Sequence, residues 1–349
     1  MEMKAAVLHA PADLRIETVA VPAPGPGEVL VRVRAAGICG SDLERVMVTG
    51  TYSFPTIPGH EFSGEIVELG AEVSGFSTGD RVAVAPLIPC RSCDYCQQGF
   101  YGQCEHYNFL GSRTDGAFAQ YVKVPVESLI PLPDKVDYFE GAAIEPCAVA
   151  LHGIIRIGIK SGDTVAVLGC GAIGLFALQF AKILGATRVI AVDISPWKLE
   201  MAAQAGADEC INGAQVDPVA EILRLTGGKG ANVCCETAGV SVTQEQCIRA
   251  AAKQGRVLYL GTAHKDVVLP PATFEHMIRG EVTLTGAWNS YSAPYPGVEW
   301  RAVLDYIASG KLKISPFITH TFPLEQLPGV IADLAAHKFE FNKVMVTLD

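Results

Sequence analysis

Asp163-Thr-Val-Ala-Val-Leu-Gly169-Cys-Gly171-Ala172-Ile173-Gly174, followed by Leu184-Gly185-Ala186 and then Val189-Ile-Ala-Val-Asp193, is the stretch from which the fold is read. A short apolar run, Thr164 to Leu168, meets Gly169-x-Gly171-x-x-Gly174, after which apolar residues take helical spacing through Leu175, Leu178, Ala181 and Ile183. A second strand-like run, Arg188 to Val192, ends on Asp193, 19 positions beyond Gly174. A dinucleotide-binding unit needs a carboxylate there for the adenosine ribose hydroxyls. The glycines have separate tasks: Gly169 makes the tight turn, Gly171 admits the pyrophosphate, and Gly174 lets helix and strand pack closely. The helix opening at Ala172-Ile173 then turns its N-terminus toward the anion. Asp193 is followed by Ile194 and Ser195 with no immediate Arg or Lys, and a carboxylate repels a 2′-phosphate, so NAD is expected rather than NADP.

The same rhythm continues after Asp193. Helix 196–204, a short strand near 209–211, helix 219–225, strand 232–236, helix 243–252 and strands 256–260 and 282–286 are expected. Together they make a parallel sheet of about six strands with helices on both faces. Thr237, Gly261 and Thr262 stand at the C-terminal ends of their strands and, with Lys198 in the first of these helices, complete the expected cofactor set. The aromatic, proline-rich segment 288–297 breaks the rhythm. Trp300 falls in a helix expected over 298–309, where a core position is the simpler reading.

The first 85 residues alternate short β-like runs (5–8, 14–19, 29–35, 64–69, 81–84) with Gly and Pro, and look all-β. Two polar constellations interrupt them, Gly37-Ile-Cys39-Gly-Ser41-Asp42 and Pro58-Gly-His60-Glu61-Phe62. Cys39 and His60 are a thiolate and an imidazole of the kind zinc takes. Taken alone they read more readily as a buried free cysteine and a core histidine, and it is the rest of the chain that turns the reading toward metal. The segment 86–116 contains Cys90-x2-Cys93-x2-Cys96-x7-Cys104, four cysteines in a stretch too polar to make its own core. That spacing suits a closed site of four thiolates, hence a structural zinc. The common iron–sulfur spacing ends x3-Cys-Pro instead. His106 is assigned to the surface. A strand is expected over 117–124. Glu145, in an apolar run with no neighbouring base, is either a metal ligand or an acid at a helix N-terminus.

At 349 residues the chain is expected to form two domains. A formal net charge of −10 excludes the basic face that nucleic-acid binding needs. No apolar run reaches the roughly 18 residues of a membrane span, and Met1-Glu-Met-Lys4 leads into strand-like sequence rather than a signal peptide. The expectation is a cytoplasmic protein without membrane partners. Its eleven cysteines then point to metal before disulfides.

With these residues in hand, the chain resembles the zinc-containing medium-chain dehydrogenases over essentially its whole length. Cys39-Gly-Ser41-Asp42, Gly59-His60-Glu61, the four-cysteine lobe and the Gly169 fingerprint occur in that family's order. Within it the chain is most similar to the polyol branch that handles galactitol 1-phosphate and sorbitol. The similarity lies in Gly99-Phe-Tyr-Gly-Gln-Cys104, Phe109-Leu-Gly-Ser-Arg113, Ile144-Glu145-Pro146 and Ala287-Trp-Asn-Ser-Tyr-Ser-Ala-Pro-Tyr-Pro-Gly297. The resemblance implies a GroES-like catalytic domain over 1–147 and 288–349, closing on a Rossmann domain over 148–287. It further implies a catalytic zinc on Cys39, His60 and Glu145, with Glu61 able to take or exchange a position, so each chain carries two zinc ions. Ser41 would relay a proton and Asp42 orient His60, while Arg45, Arg113, Trp288 and Asn289 would meet the substrate. The implied reaction is oxidation of a secondary hydroxyl of a polyol or polyol phosphate by NAD, in a homodimer or homotetramer. Oxidation of another secondary alcohol such as threonine or 2,3-butanediol, or non-catalytic nucleotide binding, would use the same fold.

Overall fold

The computed structural model describes residues 1–348. The chain forms two compact units. The first comprises Met1–Glu145, Ser290–Gly310 and the chain from Ile314 on; the second comprises Pro146–Asn289 with Lys311–Lys313.

The second unit holds a six-stranded parallel sheet in the order Glu209–Asn212, Arg188–Asp193, Thr164–Leu168, Ala231–Glu236, Ala251–Tyr259, Thr283–Gly286. Chain order reverses between Thr164–Leu168 and Ala231–Glu236, and in such sheets that crevice beyond the strand ends receives the dinucleotide. Val165 to Leu168 and Val189 to Ala191 are fully buried, as strands covered on both faces must be. Helix starts follow local chemistry. Ser195 caps Pro196–Gln204 and Asp217 caps Pro218–Leu225, each with proline at the first helical position, where a missing N–H costs nothing.

The first unit is built on a seven-stranded sheet. Its path runs Ile318–Pro323, Lys343–Thr347, Glu28–Ile38, Glu61–Leu69, Arg81–Val84, Leu129–Pro131, with Tyr121–Pro125 also paired to Glu28–Ile38. In Glu28–Ile38, Val29, Val31 and Val33 are buried while Arg32 and Arg34 are not, the alternation of a strand with one face on a core. That core also takes Phe62, Ile66, Phe118 and Leu327.

Three expectations are corrected. The first 85 residues are not all β, because Gly40–Glu44 is helical and Arg45–Thr49 follows as a π-helical turn. The strand after the cysteine lobe begins at Tyr121; the preceding Ala117–Ala119 is buried and is held instead against strand Glu2–Ala10 of a separate two-stranded sheet, through an Ala5–Ala119 bridge and Ala6 N–H donating to Phe118 O. Helix Ser241–Ala250 ends before Ala251, which opens the strand Ala251–Tyr259 and pairs with Ala231. A run of alanines suits either element, so burial decided. Helices Pro271–Gly280 and Leu327–Ala335 and strand Ile318–Pro323 lie outside the expected elements. Trp300 is fully buried in helix Val298–Ala308.

Candidate functional site

Strand Glu28–Ile38 leads directly into Cys39, which caps the helix Gly40–Glu44. Cys39 N–H donates to Asp42 Oδ2 and Asp42 N–H donates to Cys39 O, both at 3.0 Å. This reciprocal pair fixes the thiol at one end of the turn and the carboxylate on its inner side. His60 and Glu61 enter from the next strand, after Gly59 at φ +96°, where an added Cβ would run into Phe118. His60 Nδ1 faces Asp42 Oδ1 at 3.2 Å. Asp42, His60 and Glu61 are all buried. The ligand atoms of Cys39, His60 and Glu61 lie within 4.8 Å of one another. Thiolate, imidazole and carboxylate at that spacing are a donor set that zinc fits.

Burial works against charge on His60, but the Asp42 carboxylate and the Cys39 sulfur hold its pKa well above the ordinary imidazole value. Asp42 also loses solvation, yet His60 and Arg45 keep it below the ordinary carboxylate value. Arg45 Nη1 donates to Ser41 Oγ at 2.9 Å and lies 3.7 Å from Asp42 Oδ1. The guanidinium is thus directed at the Cys39 helix. Arg113 differs: it is exposed, stacked 3.9 Å from the Tyr52 ring centre and 4.5 Å from that of Tyr107, without a carboxylate partner among the described residues.

Glu145 lies in the first turn of Ile144–Ile157, buried. The compact donor group includes Glu61 and not Glu145. The impression that Glu145 has no base nearby holds only along the chain. Burial raises its pKa to about 7, and His60 and Lys343 pull against that rise while Glu61 adds to it. Lys343 had no place in the sequence reading. It is buried, pairs with Glu61 Oε2 and donates to Ile38 O at 3.1 Å. Although burial opposes its charge, Glu61 and Cys39 keep it protonated. Gly37 lies opposite Glu61 on one side and Met345 on the other, and an added Cβ would overlap both the carboxylate and the ammonium. A Gly at the strand end was the only signal in the sequence for this buried pair.

In the second donor group, Cys90, Cys93, Cys96 and Cys104 also converge within 4.8 Å. The pairs Cys90–Cys96 and Cys93–Cys104 have Sγ atoms 4.0 Å apart. The edge of a tetrahedron with 2.3 Å zinc–sulfur bonds is roughly 3.8 Å. Cys90 N–H donates to Cys104 Sγ at 3.2 Å and Cys93 N–H to Cys90 Sγ at 3.4 Å. The Ser92 hydroxyl and neighbouring N–H groups bring the Cys90 thiol down to about 5, whereas burial lifts Cys96 to about 12. His106 is exposed and outside the group.

In the second unit Gly169 takes φ +105° against Ala238, a Cβ on Gly174 would strike Gly169 O, and Gly171 faces open space. Packing therefore demands the outer glycines, while the middle one leaves the N-terminus of Ala172–Ile183 accessible. Asp193 accepts from Cys170 N–H at 2.7 Å and Ser195 N–H at 2.9 Å, one on each oxygen, which aims the carboxylate and leaves lone pairs on both. Thr237 Oγ1 donates to Gly169 O at 2.7 Å, so its hydroxyl braces the glycine turn. Glu236, fully buried, accepts from Ala238 and Gly239 N–H and from Thr243 Oγ1, and thereby shapes the turn beside Gly261 and Thr262. Lys198 is half-buried, Trp288 is exposed, and Asn289 takes φ +54°; all three belong to the second unit.

Among the described residues no helix is long and apolar enough to cross a membrane. Residues 25–134 match the alcohol dehydrogenase GroES-like domain and residues 172–309 the zinc-binding dehydrogenase family. Galactitol 1-phosphate 5-dehydrogenase of Escherichia coli (strain K12) is 38% identical over 313 residues, 88% of this chain and 89% of that protein. The crystal structure of galactitol-1-phosphate dehydrogenase from Escherichia coli matches with a TM-score of 0.93 at 36% identity, covering 99% of this chain and 100% of that one. Sorbitol dehydrogenase of Bacillus subtilis (strain 168) is 35% identical over 350 residues, 99% of this chain and 97% of that protein. A zinc-binding dehydrogenase from Sinorhizobium meliloti 1021, described as putative and bound to NADP, matches with a TM-score of 0.92 at 34% identity, covering 99% of each chain.

Proposed function

The chain belongs to the zinc-binding alcohol and polyol dehydrogenase family, and we propose that it oxidises a secondary hydroxyl of a polyol or polyol phosphate to a ketose, using NAD. The contrast between its two donor groups carries this reading. Four thiolates complete a tetrahedral sphere and serve structure, whereas three mixed donors leave a position for substrate. One zinc on each group makes two per chain, with Cys39, His60 and Glu61 holding the catalytic ion and Glu145 standing beside them.

Zinc there supplies a Lewis acid that lowers the pKa of a bound hydroxyl, as it does for water, from about 16 toward 7. NAD supplies the hydride acceptor. The protein's own residues do the rest. Asp42 fixes the ring of His60 through Nδ1, which leaves Nε2 for the metal. Ser41 accepts from Arg45 and keeps its own O–H, so it can take the substrate proton on one lone pair and pass one outward. Lys343 fixes one oxygen of Glu61 and leaves the other for the ion. Asp193, already aimed by two backbone donors, accepts from the ribose hydroxyls and disfavours a 2′-phosphate, which supports NAD over the NADP of the Sinorhizobium relative. If the substrate carries a phosphate, Arg113 is the free fork that suits it.

The test is NADH formation from galactitol 1-phosphate, galactitol, sorbitol, xylitol, arabitol and threonine, with NADP run beside NAD. Turnover of at least one polyol with NAD is expected. If galactitol 1-phosphate leads, Arg113→Ala should lower its kcat/KM by about tenfold or more, the scale of a lost charge-assisted hydrogen bond, and leave free polyols unaffected. Oxidation of threonine alone would replace the polyol, and no turnover with either cofactor would defeat the enzymatic reading.

A further inference from the structure

Glu236 closes the strand Ala231–Glu236 and is a fully buried carboxylate that the chemistry above does not use. Burial raises its pKa, and the Thr243 hydroxyl and the backbone N–H groups of Gly239, Ala238 and Val240 pull the other way. Ala238 and Gly239 N–H each donate to Oε1 at 3.0 Å, and Thr243 Oγ1 donates to the same oxygen at 2.7 Å. Gly239 N–H also lies 3.3 Å from Oε2. These partners include no Lys or Arg. An apolar side chain would fill a strand end as well as the fully buried Cys234 and Cys235 do beside it, but it would leave those donors unpaired. The carboxylate therefore serves the turn that follows it rather than the core.

That turn is one of three that meet at the strand ends. Thr237 Oγ1 donates to Gly169 O, and Ala238 stands where a Cβ on Gly169 would have to go. On the other side Leu260 N–H donates to Glu236 O at 2.9 Å, and Gln244 Nε2 to Gly261 O at 3.2 Å. Gly261 approaches so closely that an added Cβ would strike both Gly239 N and Glu236 Oε2. One buried side chain thus supports the turn at Gly169, the turn 237–240 and the turn 261–262 together. Ala238, Val240 and Thr262 are exposed, so the turns lie at the surface while the group that holds them does not.

Chain order reverses between Thr164–Leu168 and Ala231–Glu236, and a dinucleotide in such a sheet lies over these strand ends. A ligand whose site must first be ordered loses affinity, whereas a site already fixed spares it that cost.

We propose that Glu236 is a positioning residue for the dinucleotide: its carboxylate, without touching the ligand, fixes the turns 237–240 and 261–262 against the Gly169 turn and so presets the crevice. This rests on the dinucleotide reading above.

The experiment titrates NADH, with NADPH beside it, into the zinc-loaded full chain and follows nucleotide fluorescence for wild type, Glu236→Met, Glu236→Gln and Thr243→Val. Thermal unfolding without ligand is recorded in parallel. Glu236→Met, close in size but without an acceptor oxygen, should raise the Kd for NADH by about tenfold or more, the scale of a lost hydrogen bond to a charged group. Glu236→Gln keeps one acceptor oxygen and should recover part of that loss, and Thr243→Val should give a smaller shift in the same direction. On a substrate that wild type oxidises, the KM for the dinucleotide should rise while kcat at saturation is kept, the signature of lost binding rather than lost chemistry. A folded Glu236→Met protein with the wild-type Kd, whatever its melting temperature, would make Glu236 a structural residue and overturn the proposal, as would a lower kcat with Kd unchanged. If Glu236→Met does not fold, wild-type Kd values in both Glu236→Gln and Thr243→Val overturn it equally. A wild type that binds neither NADH nor NADPH defeats the dinucleotide reading itself and takes this inference with it.

Discussion

Lys343 and Glu61, 282 positions apart in sequence, meet in the interior, and Gly37 is bare because the pair fills the place of its side chain. Breaking such a pair by removing one partner leaves a buried charge uncompensated. Lys343→Met should therefore cost the metal-free protein about 3 to 5 kcal/mol in denaturant unfolding, in line with other broken buried pairs. Zinc should recover part of that loss, because a cation gives Glu61 a second partner. A variant as stable as wild type without metal would show that the pair contributes little. Asp42 and His60 follow the same logic at shorter range: the helix Gly40–Glu44 carries the carboxylate and the imidazole stands immediately before strand Glu61–Leu69, so neither is oriented until both elements form.

Among elements, the cysteine lobe is distinctive because it carries so little regular structure. Between Leu87–Ile88 and Asn108–Phe109 it contains one turn of helix, Asp94–Gln97, and a 3-10 turn, Tyr101–Gln103. Metal must take the place of a core, and for such sites binding is folding free energy on the order of 10 kcal/mol or more in model peptides. Chelation should raise amide hydrogen exchange across 86–116. It should also loosen 290–297, whose backbone is tied to Gly99 and Gly102. Strand Thr164–Leu168, in the other unit, should keep its protection. Exchange in 86–116 that does not respond to metal removal would contradict a structural zinc. The corrected boundary at 250–252 falls in three consecutive alanines, which carry no preference strong enough to resist the strand pairing available to Ala251.

For the whole molecule, strand Thr283–Gly286 is the last of its sheet and has one unpaired edge, with Leu284 exposed; Phe274 and Ile278 on helix Pro271–Gly280 are exposed as well. Edge strands of this kind pair with another chain unless covered. The homodimer or homotetramer implied by the family resemblance could be built by pairing through this edge. Sedimentation at micromolar concentration should give a dimer or tetramer for wild type and a smaller species for Leu284→Lys. A monomeric wild type would contradict the oligomer that the resemblance implies.

What the sequence determined by itself was whatever a contiguous stretch can encode. The fingerprint from Gly169 to Asp193, the four cysteines within fifteen residues, and the family order of Cys39, His60 and the glycine turn were all legible there, because backbone conformation and ligand spacing are local properties. They were enough for the parallel six-stranded sheet and for two candidate metal centres. Only the tertiary structure brought Glu61, and not Glu145, into the compact group with Cys39 and His60 and set Lys343 behind Glu61. Those facts depend on the register between strands from opposite ends of the chain. Register places a side chain beside its partner only after the sheet has closed, and no short run of residues carries that information.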